Sequence, residues 1–143
     1  MRFAPAVFML ALLMATACGR PESIDEFHGV RLGMTPSEVR NYFKPNGEFT
    51  LLPSGEGALD LGWRGAEGEA LTEAIFEFHE GILVAIRAKH GAEYSAKVQR
   101  LDVTPYAVRS ISVGEDANVE TLLLARGCPA HESEVQDLLA LTQ

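Results

Sequence analysis

The sequence predicts an α+β domain over residues 27–143, with one antiparallel sheet of four to six strands packed by two or three short helices. Three observations predict it. Thr35-Pro36-Ser37-Glu38 carries the local signals of a helix start. The stretches 74–90 and 106–126 alternate apolar and polar residues around glycine-containing turns, as half-buried hairpins do. The C-terminal segment places Val135, Leu138 and Leu139 at helical spacing.

In chain order, a leader comes first. Arg2 is the only charged residue before position 20, and residues 4–15 are almost wholly apolar. A membrane-spanning helix needs about 20 such residues. This run is shorter and fits the apolar region of a secretory signal, about 7–15 residues long. Ala15-Thr16-Ala17 supplies the small-residue cleavage site, so residues 1–17 are removed and Cys18 becomes the first residue. That arrangement resembles the bacterial lipoprotein signal, in which the cysteine thiol is diacylated before cleavage and its amine acylated afterwards. The resemblance implies lipid attachment at Cys18, although Ala15 stands where the usual motif has leucine. An ordinary signal peptide cut at the same bond is the alternative. Gly19, rather than aspartate, follows the cysteine, which by the same resemblance implies outer-membrane sorting. Residues 18–26 are then the lipidated cysteine and its tether. At about 3.3–3.6 Å per residue such a tether keeps the domain close to the bilayer.

Phe27–Leu32 reads as a short strand leading into the helix. Thr35 is the N-cap, Pro36 sits at N1, Glu38 at N3 closes a capping box, and Met34 with Val39 forms a hydrophobic staple. Val39, Tyr42 and Phe43 share the apolar face, and Pro45 ends the helix. Phe49–Leu52 and Ala58–Trp63 read as strands around the turn-rich Pro53-Ser54-Gly55-Glu56-Gly57, followed by a loop over Arg64–Leu71. For the hairpin Ala74–His90 two registers compete. A two-residue turn at Glu80-Gly81 pairs Phe78 with Leu83. A three-residue loop, His79-Glu80-Gly81, pairs Phe78 with Ile82, Phe76 with Val84 and Glu73 with Arg87. The second gathers more of the large apolar side chains on one face and is the register expected.

Ala92–Leu101 is expected to be a second helix, with Tyr94, Val98 and Leu101 on one side. Tyr106–Val113 and Val119–Arg126 form a second hairpin, and the last helix runs from Ala130 or His131 to Leu141. There is one internal echo. Arg31-Leu32-x-Met34-Thr35-Pro36-x-x-Val39-Arg40 returns as Arg100-Leu101-x-Val103-Thr104-Pro105-x-x-Val108-Arg109. A duplicated unit would make Tyr106–Ser110 helical, but the chain after it is too short for a full second copy and the match does not continue, so a strand is expected.

Composition narrows the function classes. The chain of 143 residues carries a formal charge of −8, and the leader holds only Arg2, so the remaining 126 residues carry −9. That is enough chain for one domain with a core. Lys and Arg form no run, which argues against nucleic acid as a partner and against electrostatic attachment to anionic lipid. Attachment to a membrane would therefore rest on acyl chains at Cys18. Only two cysteines exist. Acylation of Cys18 leaves Cys128 as a single thiol, most simply a small buried apolar group.

Gly29-Val30-Arg31-Leu32-Gly33-Met34-Thr35-Pro36-Ser37-Glu38-Val39 resembles the Gly-Met-Thr-x-x-x-Val signature of a superfamily of small outer-membrane lipoproteins. It includes the SmpA/OmlA (BamE-like) proteins and the β-lactamase-inhibitor-like fold. The likeness covers roughly residues 27–90, with a lipidated cysteine one short tether upstream and a tryptophan strand and hairpin downstream. It implies a compact α+β domain used for protein contact without catalysis.

The chemistry-bearing residues point the same way. Glu77 and His79 alternate onto one strand face, and Asp25, Glu26 and His28 lie near the tether. No His-x-x-x-His or Cys-x-x-Cys spacing supports a metal site, and His79 reads as a solvated hairpin tip. Cys128-Pro129-Ala130-His131 places a thiol before a helix, but Glu132, Glu134 and Asp137 oppose thiolate formation there. Ser54 lacks the strand–turn–helix context of a nucleophile elbow. The expectation is a periplasm-facing lipoprotein that binds an envelope protein, without catalytic residues, metal or cofactor. The alternatives are a secreted inhibitor-like module without lipid and a small thiol enzyme using Cys128.

Overall fold

The computed structural model describes residues 23–91, 99–114 and 117–143. The leader, Cys18 and most of its tether lie outside the described residues. A seven-stranded antiparallel sheet dominates, built from β3 (Gly47–Leu52), β4 (Ala58–Gly65), β5 (Leu71–His79), β6 (Ile82–His90), β7 (Arg100–Val103), β8 (Ala107–Val113) and β9 (Val119–Ala125). Its spatial order is β3-β4-β5-β6-β9-β8-β7. Two meanders therefore meet where β6 pairs with β9. The sheet is wider than the four to six strands expected, and the described residues hold two short α-helices, α1 (Pro36–Tyr42) and α2 (Glu132–Ala140).

Phe27–Leu32 is not one strand. It folds into a two-stranded ribbon, β1 (Glu26–Phe27) and β2 (Val30–Arg31), because His28 and Gly29 both take positive φ, 47° and 92°, the signature of a type I′ turn. A side chain on Gly29 would meet the Tyr42 carbonyl oxygen at 2.5 Å, so glycine is needed there twice over. The helix start follows the expected pattern. The Glu38 amide donates to Thr35 Oγ1 at 3.3 Å, and the Thr35 amide donates to Glu38 Oε2 at 2.8 Å. The Thr35 backbone amide, and then its hydroxyl, hold the Glu38 carboxyl below its usual range. Val39 and Phe43 are buried, but Tyr42 is 58% exposed. A helix of seven residues turns too narrow a face inward to bury all three.

The hairpin corrects the expected register. Glu80-Gly81 is a two-residue turn with φ of 51° and 80°, pairing His79 with Ile82 and Phe78 with Leu83. A bulge at Val84 then shifts the ladder, so Phe76 faces Ile86 and Ile75 faces Arg87. That shifted ladder also sets Glu73 against Lys89, and a second bulge at Thr72 shifts it back so that Leu71 faces His90. The first bulge lets Leu83 and Ile86, three residues apart, both reach the core. No single uninterrupted register could do that. Glu80 occupies a left-handed position that asparagine tolerates better. Glu80→Asn is accordingly expected to stabilise the domain by about 0.5–1 kcal/mol, read from urea denaturation. An unchanged or lower midpoint would show the turn is not held as described.

The helix expected over Ala92–Leu101 falls mostly on residues 92–98, outside the described residues. Its end, Arg100 and Leu101, belongs to β7. The echo of the Thr-Pro motif builds a turn here and not a helix. Thr104 Oγ1 accepts from the amides of Tyr106 and Ala107 at 3.2 and 3.0 Å. Ala107 stands where the first copy has Glu38, so no capping box can form, and Val108 continues as strand. The second hairpin and the C-terminal helix fall as expected, with a 3-10 turn over Pro129–His131 leading into α2.

The two faces of the sheet are covered differently. The ribbon and α1 close one face, packing Phe27, Val30, Val39 and Phe43 against Leu61, Trp63, Phe76, Phe78, Leu83 and Ile86. On the other face α2 sets Val135, Leu138 and Leu139 over Ala85, Val108 and Leu124. That helix covers β6, β9 and β8, with Leu101 of β7 at its margin. The same face of β3, β4 and β5 is left open.

Candidate functional site

Two features on the α2 side carry polar or reactive groups: the open part of the sheet and a charged cluster where α2 meets it. The open part is a groove of about 470 Å³ whose lining includes Thr50, Gly62 and Ile75, with Glu48, Arg64 and Glu73 beside them. Gly62 makes the hollow. A Cβ there would already touch the Leu52 side chain at 3.2 Å. A second hollow of about 260 Å³ shares Glu73 and Ile75 and runs on past Arg87, Lys89 and Leu122. The result is a broad, shallow, mixed-charge trough crossing several strands. It suits a polypeptide better than a small molecule, whose sites are usually enclosed and mostly apolar.

At the edge of α2, Arg87 reaches from β6 to two carboxylates. Its Nη1 and Nη2 donate to Glu134 at 2.8 Å each, a two-pronged pair that ties helix to sheet, and its Nε donates to Glu77. The bonds to Glu134, and next those to Glu77, hold the guanidinium above even its ordinary pKa. Arg87 in turn holds the Glu134 carboxyl below its usual range. His131 is buried between the same two acids, 3.2 Å from Glu77 and 3.4 Å from Glu134. Asp60 on β4 sits nearby, its carboxyl pushed up by burial and then by the Glu77 charge.

His79 is not the solvated tip its place in the sequence predicts. Instead it is half-buried, with its ring centroid 5.5 Å from that of His131 and Nδ1 3.7 Å from Cys128 Sγ. The sequence shows no sign of this, because His79 and Cys128 meet only when the turn before α2 crosses the β5–β6 hairpin. Cys128 is partly exposed along a groove of about 660 Å³ that also includes His79, Glu80 and Ile82 in its lining. A thiol beside an imidazole can react, but acyl transfer also needs amide donors for the oxyanion. Pro129, the next residue, has no N–H, and the His131 amide already donates to the Cys128 carbonyl at 3.1 Å.

The other candidates fall elsewhere. Ser54 donates its hydroxyl to the Ala58 carbonyl at 2.9 Å and closes a turn. Glu26 pairs with Arg31 at 2.9 Å, and His28 packs among Phe27, Phe43 and His90. Among the described residues no three His, Cys, Asp or Glu side chains converge to hold a metal ion. Arg87, expected opposite Glu73, instead faces Ile75 and reaches the two carboxylates. The available hint was its position inside the apolar run Ile82–Ala88, where a lone guanidinium needs carboxylates. No known family, curated protein or solved structure matches this chain.

Proposed function

We propose that this chain is a periplasm-facing lipoprotein, anchored through acyl chains on Cys18, that acts as a non-enzymatic protein-binding module at the bacterial envelope. Outer-membrane or β-barrel assembly is the process its resemblance to the SmpA/OmlA (BamE-like) group favours. The observation that carries the binding role is the trough over β3, β4 and β5, a multi-strand surface that α2 leaves uncovered while it covers the neighbouring strands. Lipid attachment is supported by the Ala15-Thr16-Ala17-Cys18 site and by a sequence in which Lys and Arg form no run.

Two measurements test the reading. The mass of the mature chain from bacterial membranes should exceed that of residues 18–143 by the acyl groups on Cys18. An unmodified cysteine there would favour the secreted, inhibitor-like module. A photoreactive residue in place of half-exposed Ile75 should cross-link an envelope protein in detergent-solubilised membranes, and Gly62→Arg should abolish that product. Equal cross-linking from a site on the α1 face would sink the assignment.

A second reading, a small thiol enzyme, is favoured by the 3.7 Å approach of His79 to Cys128. Full persistence of any detected activity in Cys128→Ser would dispose of it.

A further inference from the structure

The sheet has two edges, and they are protected unequally. The β7 edge is four residues long, carries the Arg100–Asp102 ion pair at 2.8 Å and is followed by Pro105. Short length, charge and proline are the usual means of stopping a strand from pairing further. The β3 edge is guarded less: Pro53 stops it at one end, but the strand itself is longer and carries little charge. It runs six residues, Gly47 to Leu52, in unbroken register with β4, and contains no proline or basic residue and only one acid, Glu48. Leu51 on this strand is 62% exposed. One side of β3 pairs with β4, and among the described residues no strand or loop satisfies the other.

We propose that β3 pairs antiparallel with β3 of a second copy of this chain, joining the two sheets edge to edge about a two-fold axis. The register selects this partner. A two-fold that makes the strands antiparallel stands perpendicular to the sheet, so residues on the same face must oppose one another. Phe49 and Leu51 point to the α1 face, whereas Glu48, Thr50 and Leu52 point to the open face, as their partners Trp63, Leu61, Arg64, Gly62 and Asp60 require. Centring on Glu48 would set two carboxylates against each other. Centring on Phe49 would leave Leu51 opposite Gly47, and centring on Leu51 would place Phe49 opposite Pro53, which has no N–H to give.

Centring on Thr50 avoids these clashes within the strand and moves Pro53 to its very end, opposite Gly47. Each Phe49 then lies opposite the other copy's Leu51, Thr50 lies opposite Thr50, and each Glu48 faces an uncharged Leu52. Cross-strand apolar pairs of this kind are the stabilising unit of a sheet. On the open face, the row Gly62–Thr50 of one copy continues into Thr50–Gly62 of the other. The two grooves become one trough with two-fold symmetry. The pairing does not depend on the lipid anchor or on what occupies that trough.

The test uses the full chain carrying Cys128→Ser, purified in detergent. Directly opposed Cα atoms in an antiparallel pair lie about 4.5 or 5.5 Å apart, within reach of a disulfide. Thr50→Cys should therefore form a covalent dimer on mild oxidation, whereas Arg64→Cys, one strand inward, should not. Sedimentation should give the mass of two chains for the parent. Leu51→Lys, a change at an exposed position that leaves the fold intact by circular dichroism, should give the mass of one. A single-chain mass for the parent at every concentration, or equal cross-linking at positions 50 and 64, would overturn the proposal. So would cross-linking of Thr50→Cys only to a different protein, since the edge would then take another chain's strand.

Discussion

Phe76→Ala is expected to cost about 3–5 kcal/mol, the range for truncating a fully buried aromatic, and to leave the domain mostly unfolded near 37 °C. Phe76 is completely buried on β5. Its ring meets Phe43 edge-on at 5.0 Å between centroids and tilts against Phe49 at 5.9 Å. One side chain thus links the C-terminal end of α1, the β3 edge strand and the middle of the sheet. α1 is only seven residues long, so it depends on such tertiary contacts. A helix this short is marginal without tertiary packing. Calorimetry or urea denaturation would measure the loss. A penalty below about 1 kcal/mol, the scale of an exposed or freely relaxing site, would mean that the α1 face is not packed as described.

Arg87→Met is the second large effect, expected at about 1–3 kcal/mol near neutral pH. Methionine keeps much of the aliphatic stem and removes the charge. It leaves Glu77 and Glu134, both partly buried, beside each other without their cation. Removing one partner of a fully buried pair costs more, but the Arg87 side chain is 38% exposed and solvent screens part of the interaction. The pH dependence follows from the Glu134 carboxyl, whose folded pKa is depressed below its ordinary 4.5, chiefly by the Arg87 hydrogen bonds. A depressed acid contributes stability above its unfolded pKa and loses it as pH falls through the folded one. The gap between parent and Arg87→Met should therefore be full at pH 7 and shrink as pH drops below about 4.5. Urea titrations at both ends would show it. An equal gap at neutral and acid pH would mean that Arg87 contributes through packing and not through charge.

Several elements could be read from residues close together in the chain. Thr35, Pro36 and Glu38 satisfy the first amides of α1 among themselves, so that helix start needs no distant partner. Val119–Ala125 and Ala107–Val113 are two apolar-rich stretches on either side of a Gly114 turn, which a hairpin explains locally. The β5–β6 register was not legible. Reading one uninterrupted ladder, the apolar pattern favours a three-residue loop. The chain instead adopts a tighter turn and inserts Val84 as a bulge, which brings both Leu83 and Ile86 inward. A bulge is stabilised by the packing it permits, and that packing depends on Phe76, Phe78 and the layer above them. Arg100 and Leu101 likewise read as the end of a helix, whereas β8 offers them a partner strand.

The charged cluster was the least legible part. Glu77, Arg87, His131 and Glu134 are ordinary surface residues by spacing, and His79 and Cys128 are separated by 49 positions. They converge because β6 pairs with β9, whose exit turn carries Cys128 and leads into α2 across the hairpin. The sequence by itself determined what local chemistry can determine: the capped helix, the hairpin at residues 107–125, the amphipathic C-terminal helix, and the charge that argues against nucleic acid. Strand order, the bulged register, the open trough and the less guarded β3 edge were decided by the tertiary structure alone. Caps and alternation are satisfied within a few residues. An edge or an uncovered face exists only once every other strand has found its neighbour.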